Sequence, residues 1–247
     1  MDTSEVMEIS LGKSQSAFIR TNDRSGLIVK SPMYTVLIDT TGFALPENFR
    51  PDLILVTHEH SHHFDENFIF SLYKAMKNNS AGSTEQKPYG VTLPEGLPPI
   101  VSDQTTAVFL RRFLSRDVIK VLGPGEELSM DMLTIAALRS EHPTAKTPLT
   151  YMIILDNGMR IFHASDSLPN EDMEAASQQE PDIAFVPIGL DPRVGPMSGA
   201  QIARDVHPDV VVPFHGSDVQ RFKAGVKRLA RDVPVRTFRP GEIEVYG

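Results

Sequence analysis

The chain has 247 residues, of which 40% are hydrophobic and 23% are charged, as in ordinary globular proteins with a substantial core. Its formal net charge of −8 argues against a nucleic-acid partner, because surfaces that bind nucleic acid are basic. The sequence has no cysteine, which excludes disulfides, thiolate ligands and a cysteine nucleophile. Any metal ion must therefore be held by nitrogen and oxygen atoms.

The sequence carries no signal for export or membrane insertion. The first residues lack the basic and apolar regions of a signal peptide. No apolar run approaches the length that a bilayer-spanning helix requires. We therefore expect a cytoplasmic protein without a membrane partner.

Apolar runs separated by turn-forming residues predict many short strands. Residues 53–56 are apolar without alternation, which is typical of a strand covered on both faces. Asn157-Gly158 between two apolar runs predicts a hairpin. The predicted strands are residues 17–19, 27–29, 35–39, 53–56, 118–121, 133–137, 150–155, 159–162, 183–186 and 210–212, with two short closing strands within 233–245.

Helical spacing is found at residues 66–77, 103–114, near 198–206 and near 218–229. Asp103 is expected to cap the second of these helices at its N-terminus. The polar, Gly- and Pro-rich stretch 78–99 is interpreted as a long loop within a single domain that spans residues 1–247. This order of elements fits two sheets, each covered by helices.

A dense run of histidines follows the strand at 53–56. His58, His60, His62 and His63 place four imidazoles within six residues. Alternate residues leaving a strand point the same way, so His58 and His60 can converge on one ion, while His62 and His63 can reach a second. A disordered or tag-like tract is the alternative, but the flanking strand and helix disfavour it.

Three further side chains of the metal-ligand type follow apolar strands. They are His142, Asp166 and His215, and loops at strand ends are where open sheets gather functional sites. Taken singly, each has an ordinary explanation as a polar residue near a turn. Asp166 in particular could cap a helix near residue 171.

The spacing His58-x-His60-x-x-His63, followed in order by His142, Asp166 and His215, resembles the metal-ligand pattern of the metallo-β-lactamase superfamily. Segments 37–39, 161–166 and 187–215 also resemble that family, and the last is most similar to the branch of ascorbate-6-phosphate lactonase-like hydrolases. The resemblance covers roughly residues 8–245. It implies an α/β fold, a four-layer αββα sandwich with two metal ions at one edge.

The resemblance also implies a ligand set. Site one would comprise His58, His60 and His142, and site two would comprise His63 and His215, with Asp166 bridging the ions. Asp39 would accept the second N–H of a ligand histidine and so fix its tautomer. Zinc suits nitrogen-rich ligation and is expected as two ions, with manganese, iron and nickel as alternatives.

His62 departs from the family pattern, which usually has Asp there. We interpret His62 as a ligand of site two and, together with Asp166, as a catalytic residue. An imidazole brings no negative charge, so we predict weaker occupancy of site two or a different preferred metal there. The alternative function follows from the same residue: a metal- or ligand-binding module whose hydrolysis is reduced or lost.

The resulting hypothesis is a metal-dependent hydrolase that uses a metal-activated water on an ester, lactone, amide or phosphodiester bond of a small polar substrate. An antibiotic-degrading β-lactamase is disfavoured by the lack of an export signal. A di-iron oxidoreductase is disfavoured because the chain has no flavin domain. The oligomeric state is left open.

Other polar residues near these motifs are assigned no metal. His163 is expected to be buried at a strand end, and His207 to place a favourable charge at a helix C-terminus. Glu59 should point away from its ligand neighbours, and Asp65 should stabilise the start of the following helix. Arg193 is either an anion-binding residue on the substrate side or a surface residue of a loop, and both readings stay open.

Overall fold

The computed structural model of the protein describes residues 9–46, 48–79, 97–189 and 193–247. Its strands are β1 (Ser16–Arg20), β2 (Leu27–Lys30), β3 (Thr35–Ile38), β4 (Leu53–Val56), β5 (Ile100–Ser102), β6 (Ile119–Val121), β7 (Glu127–Met130), β8 (Leu133–Arg139), β9 (Leu149–Ile154), β10 (Arg160–His163), β11 (Ile183–Pro187), β12 (Val210–Phe214) and β13 (Ile243–Tyr246). Its helices are α1 (Glu66–Asn79), α2 (Gln104–Leu110), α3 (Asp172–Ser177), α4 (Pro196–Val206) and α5 (Val219–Leu229).

The strands form two mixed sheets. One has the order β13-β1-β2-β3-β4-β5-β6, and the other has the order β12-β11-β10-β9-β8-β7. In the first sheet β3, β4, β5 and β6 run parallel, and in the second sheet β10, β11 and β12 run parallel. Because parallel strands end at the same edge, each sheet collects the residues that follow its strands at one edge.

Three apolar clusters hold the layers together. The first lies between the sheets and joins residues such as Leu55 of β4 to Tyr151 of β9. The second joins the outer face of the first sheet to α1 and α2, and the third joins the outer face of the second sheet to α3, α4 and α5. The succession of helices, sheet, sheet and helices confirms the predicted four-layer αββα sandwich.

Strand β4 shows why its sequence is apolar throughout. Leu53 and Leu55 face the cluster between the sheets, whereas Ile54 and Val56 face the cluster beneath α1. Both faces of β4 are therefore buried, as its lack of alternation predicts. This packing fixes the end of β4, from which the histidine run departs.

Several predicted boundaries differ from the structure. Strands β5 and β7 were not predicted, and the helix predicted over 103–114 ends at Leu110 and continues as turns. One of the two closing strands predicted within 233–245 is reduced to a bridge between Val235 and Val211, because Pro234 has no N–H to extend the ladder.

The long loop predicted over 78–99 is described only at its ends. Helix α1 continues to Asn79 and β5 begins at Ile100, while residues 80–96 lie outside the described residues. The single domain over residues 1–247 stays a prediction. Within the part of the chain that the structure describes, no helix has the length and apolar character needed to cross a membrane.

Candidate metal centre

The histidine run and the three distant ligand candidates meet where the two sheets end. His58 lies two residues after β4, and His142, Asp166 and His215 follow β8, β10 and β12 within three residues. The first sheet thus supplies one half of the cluster and the second sheet supplies the other. The side chains brought together are those of His58, His60, His62, His63, His142, Asp166 and His215.

The carboxylate of Asp166 lies at the centre of this cluster. Its Oδ2 atom is 3.1 Å from His63 Nε2, 3.2 Å from His215 Nε2, 3.6 Å from His62 Nε2 and 3.7 Å from His142 Nε2. Its Oδ1 atom is buried and has no hydrogen-bond partner among the described residues. A buried carboxylate with one oxygen among four imidazoles and the other without a partner is suited to binding cations.

The donor atoms fall into two groups that could each hold a metal ion. His58, His60 and His142 form one group, which is the predicted site one. The other group comprises His58, His62, His63 and Asp166. In each group the donor atoms lie within 4.8 Å of one another. His215 approaches the second group through its contact with Asp166, and the metal-binding roles themselves stay predictions.

Asp39 supports His63 from behind. Its Oδ2 atom is 2.7 Å from His63 Nδ1, so the Asp39 carboxylate can accept an Nδ1–H and leave Nε2 available to a cation. Asp39 is itself fixed by Thr57, which donates its N–H at 2.8 Å and its hydroxyl at 2.7 Å. The Ser25 hydroxyl also lies 2.8 Å from His63 Nδ1. The expected role of Asp39 therefore agrees with this geometry.

Three of the six described non-glycine residues with positive φ lie at the same edge. Asp39, Ser165 and His215 have φ values of 46°, 51° and 54°, in the left-handed region that residues other than glycine rarely adopt. Ser165 also places its hydroxyl 3.4 Å from His58 Nδ1. Strained residues persist where the surrounding structure holds them in place and are enriched at functional sites.

Comparison with known proteins assigns the family. Residues 16–215 match the family described as beta-lactamase superfamily domain. The chain belongs to the metallo-β-lactamase superfamily. A UPF0173 protein of Pyrococcus abyssi is 24% identical over 221 residues, which cover 87% of this chain and 93% of the relative. A UPF0173 metal-dependent hydrolase of Thermoplasma acidophilum is 28% identical over 195 residues, covering 72% of this chain and 75% of the relative.

Solved structures agree with this assignment at the level of the fold. Igni18, a metallo hydrolase of Ignicoccus hospitalis, superposes with a TM-score of 0.72 at 20% identity and covers 94% of this chain and 99% of its own. Relatives of the superfamily that are named metal-dependent hydrolases support hydrolase activity in general. They do not identify a lactonase branch, a substrate or a metal.

Without a bound metal ion, burial and mutual charge shift the pKa values of several side chains in this cluster. Burial lowers the pKa of His63, but the carboxylates of Asp166 and Asp39 outweigh burial and raise the pKa to about 9. Burial and the neighbouring His63 hold the pKa of His58 well below its usual value, and burial lowers the pKa of His215 to about 4. Burial raises the pKa of Asp166, but His63 and the other imidazoles outweigh burial and hold it well below its usual value. An ion bound at His63 Nε2 would therefore displace a proton from this ring.

The residues excluded from the ligand set behave largely as expected. His163 is fully buried and stacks on Phe214 at 5.1 Å. His207 ends α4 and lies 2.9 Å from Asp232. Asp65 accepts the N–H groups of Asn67 and Phe68 in the first turn of α1.

The structure decides between the interpretations of Asp166 and of Glu59, whereas both interpretations of Arg193 stay open. The reading of Asp166 as a helix cap is wrong, because α3 begins after Glu171 and the Asp166 carboxylate faces imidazoles. Glu59 accepts the Lys146 N–H at 3.2 Å instead of joining either donor group. Arg193 is exposed, and its anion-binding role stays a prediction, with residues 190–192 outside the described ranges.

Sequence reasoning missed the serine and threonine partners of the ligands. Ser25, Thr57 and Ser165 contact His63 or His58, yet their residue types are common throughout the chain. A usable signal existed only for Thr57, because it lies between β4 and the first histidine. Ser25 lies 33 residues before His58 in sequence, and only the pairing of the strands brings it to the site.

Proposed function

We propose that the chain is a dinuclear metal-dependent hydrolase, with zinc as the preferred ion ahead of manganese, iron and nickel. The ligands would be His58, His60, His62, His63, His142, Asp166 and His215. One observation carries the proposal: four imidazole Nε2 atoms from both sheets lie within 3.7 Å of the buried Oδ2 atom of Asp166. A nitrogen-rich donor set with one carboxylate favours zinc over harder cations.

Two bound dications would lower the pKa of water and polarise the bond to be cleaved. The chain's own residues have the task of holding that site rigid. Asp166 and His63 are nearly fully buried, and Asp39 fixes the ring of His63. The side chain of His62 is 27% exposed, so a substrate can approach it, and we assign it the task of holding or moving a proton at the ring nitrogen that does not bind the metal ion.

The substrate class follows from charge and resemblance. The chain has a net charge of −8, which disfavours nucleic acid, and resembles lactonase-like hydrolases of small molecules. We therefore propose a small polar substrate with an ester, lactone, amide or phosphodiester bond, acted on in the cytoplasm. The fold alone would not select among these bonds, because one fold hosts many chemistries.

The test combines metal analysis with activity panels. Freshly purified protein is analysed for metal content, loaded with zinc and assayed on lactone, thioester and phosphodiester panels. We expect turnover that His58→Ala and Asp166→Ala abolish, while the control His207→Ala, which removes an exposed histidine far from the cluster, retains it. Turnover that survives both ligand substitutions would overturn the dinuclear mechanism.

His62 supports one alternative function. Among the described residues, the two donor groups contain a single carboxylate, that of Asp166, because an imidazole occupies position 62. Weak binding of a second ion would leave a metal- or ligand-binding module with little or no hydrolysis. Zinc binding without turnover on any panel would favour this module over the hydrolase.

A further inference from the structure

The segment that carries His142 is attached at both ends to neighbours of the other ligands. It connects β8 to β9 and spans residues 140–148. At its start Glu141 donates its N–H to Ser167 Oγ at 2.9 Å, next to Asp166. At its end Leu149 donates its N–H to the carbonyl oxygen of Thr57 at 3.0 Å, next to His58. We call residues 140–148 the His142 loop.

A third attachment joins the His142 loop to the adjacent strand of the other sheet. Thr147 donates its hydroxyl to Asp103 Oδ1 at 2.5 Å. Asp103 is fully buried and directly follows β5, which pairs with β4. One hydroxyl on an exposed loop residue is therefore bound by a buried carboxylate beside the strand that precedes His58.

Asp103 is rigid because it has other donors. It accepts the N–H groups of Thr105 at 2.7 Å and Thr106 at 3.1 Å, which makes it the N-cap of α2, and it also accepts the Thr106 hydroxyl. Because several donors hold this carboxylate in place, it gives the Thr147 hydroxyl a fixed acceptor. The Thr147 hydroxyl is in addition 2.8 Å from the Thr105 hydroxyl, so the loop is bound to the start of α2 as well.

We propose that Thr147, bound to the carboxylate of Asp103, is a positioning residue that holds the His142 loop so that His142 meets His58 and His60. The inference rests on the proposed function, because it concerns the first group of metal donors. His142 is the only member of that group supplied by the second sheet, so its position depends on how the loop is attached. Without the Thr147 hydroxyl the far half of the loop loses its links to Asp103 and Thr105. It retains the hydrogen bonds that the N–H groups of residues 146 and 149 donate.

The chain offers a matched control for this proposal. Thr147→Val removes the hydroxyl on the loop side of Asp103, and Thr106→Val removes the hydroxyl on the helix side of the same carboxylate. Thr147→Ser retains the hydroxyl. The valine substitutions are nearly equal in shape to threonine, and each deletes one hydrogen bond to Asp103. Thr147→Val also deletes the hydrogen bonds between the loop and Thr105, which belong to the same attachment of the loop to the start of α2.

Zinc affinity is measured by competition with a chromophoric chelator, and folding is followed by circular dichroism. We expect Thr147→Val to weaken one zinc equivalent by about tenfold, at the low end of the effects seen for residues that support metal ligands. The other equivalent should be unchanged, Thr147→Ser should restore binding, and Thr106→Val should lower thermal stability without changing zinc affinity. Thr147→Ala provides a second loop variant if the valine folds poorly.

Each contrary outcome has a distinct meaning. Wild-type zinc affinity in Thr147→Val would overturn the positioning role and leave the proposed hydrolase intact. Equal weakening by Thr147→Val and Thr106→Val would also overturn it, because the effect would then reflect general stability. A wild-type protein that binds no zinc would overturn the proposed function and this inference together.

Discussion

The side chain at position 62 determines how much negative charge the second donor group offers to bound cations. Two dications bring four positive charges to a cluster in which Asp166 is the one carboxylate among the described donor groups. Asp39 contributes negative charge only from behind His63, at 2.7 Å from the Nδ1 atom of that ring. Charge compensation at the second group is therefore limited by the imidazole at position 62, and ligand charge tunes metal affinity strongly.

Replacing His62 by Asp should strengthen the second zinc equivalent. The added carboxylate would belong to the second donor group, so we expect roughly tenfold tighter binding of that equivalent, in line with the dependence of affinity on ligand charge. The control His62→Asn has a similar shape and no charge, and should not strengthen binding. Isothermal titration of the metal-free variants with zinc gives the comparison, and equal second affinities in wild type and His62→Asp would contradict the argument.

Asp39→Asn should weaken metal binding without touching a ligand atom. The amide lacks the charge that holds the Nδ1–H of His63, and loss of such a partner lowers metal affinity by about 10–100-fold. Asp52→Asn is the matched control: it alters a carboxylate that accepts the Thr35 N–H at the opposite end of the same strands. Chelator competition measures both variants, and equal affinities would rule out the supporting role of Asp39.

At the scale of elements, the position of His215 depends on close contact between two loops. Gly216 follows β12 and the candidate ligand His215, and a Cβ atom at 216 would lie 2.7 Å from the carbonyl carbon of Ile188, just beyond β11. The parallel pairing of β11 with β12 brings these backbones together. No side chain can be accommodated there unless one of the two loops moves.

Gly216→Ala should therefore destabilise the protein and displace His215. Overpacking of this kind costs about 1–3 kcal/mol, and we expect a lower urea midpoint together with weaker zinc binding. Gly123→Ala is the control, because its Cβ atom would meet only the flexible side chain of Glu126 at 3.6 Å. If Gly216→Ala unfolds at the wild-type midpoint and binds zinc normally, the contact does not fix His215.

The elements that could be predicted are those whose pattern reflects burial. Strand β4 is apolar on both faces because both faces are covered, so its sequence was sufficient to predict a buried strand. Strand β7 alternates between exposed and half-buried residues at the end of its sheet, and the short β5 begins just after a stretch dominated by turn-forming residues. Neither has an apolar pattern that separates it from its surroundings.

In the candidate site, too, some residues could be predicted from the sequence and others could not. Histidine and Asp166 stand out by type and by position after strands, whereas the hydroxyls of Ser25 and Thr147 carry no such signal. Their roles depend on tertiary contacts between segments far apart in sequence, and those contacts exist only once both sheets have formed. Only the ligand residues themselves, and Asp39 through the family resemblance, could be predicted.

At the scale of the whole molecule, the candidate metal donors come from both sheets. His58, His60, His62 and His63 follow a strand of the first sheet, whereas His142, Asp166 and His215 follow strands of the second. An ion bound by both sets would link the sheets only in the folded state. Ligands that bind only the folded state stabilise it by mass action.

Zinc should consequently raise the free energy of unfolding, and a chelator should remove that gain. At a free zinc concentration of about 100 times the dissociation constant, one site contributes about 2.7 kcal/mol. Asp166→Ala should lose most of this zinc-dependent gain, because it removes the carboxylate closest to ligands from both sheets, whereas His207→Ala should keep it. Urea unfolding with and without zinc measures the difference, and a zinc-independent midpoint in the wild type would show that the cluster does not link the sheets through a metal ion.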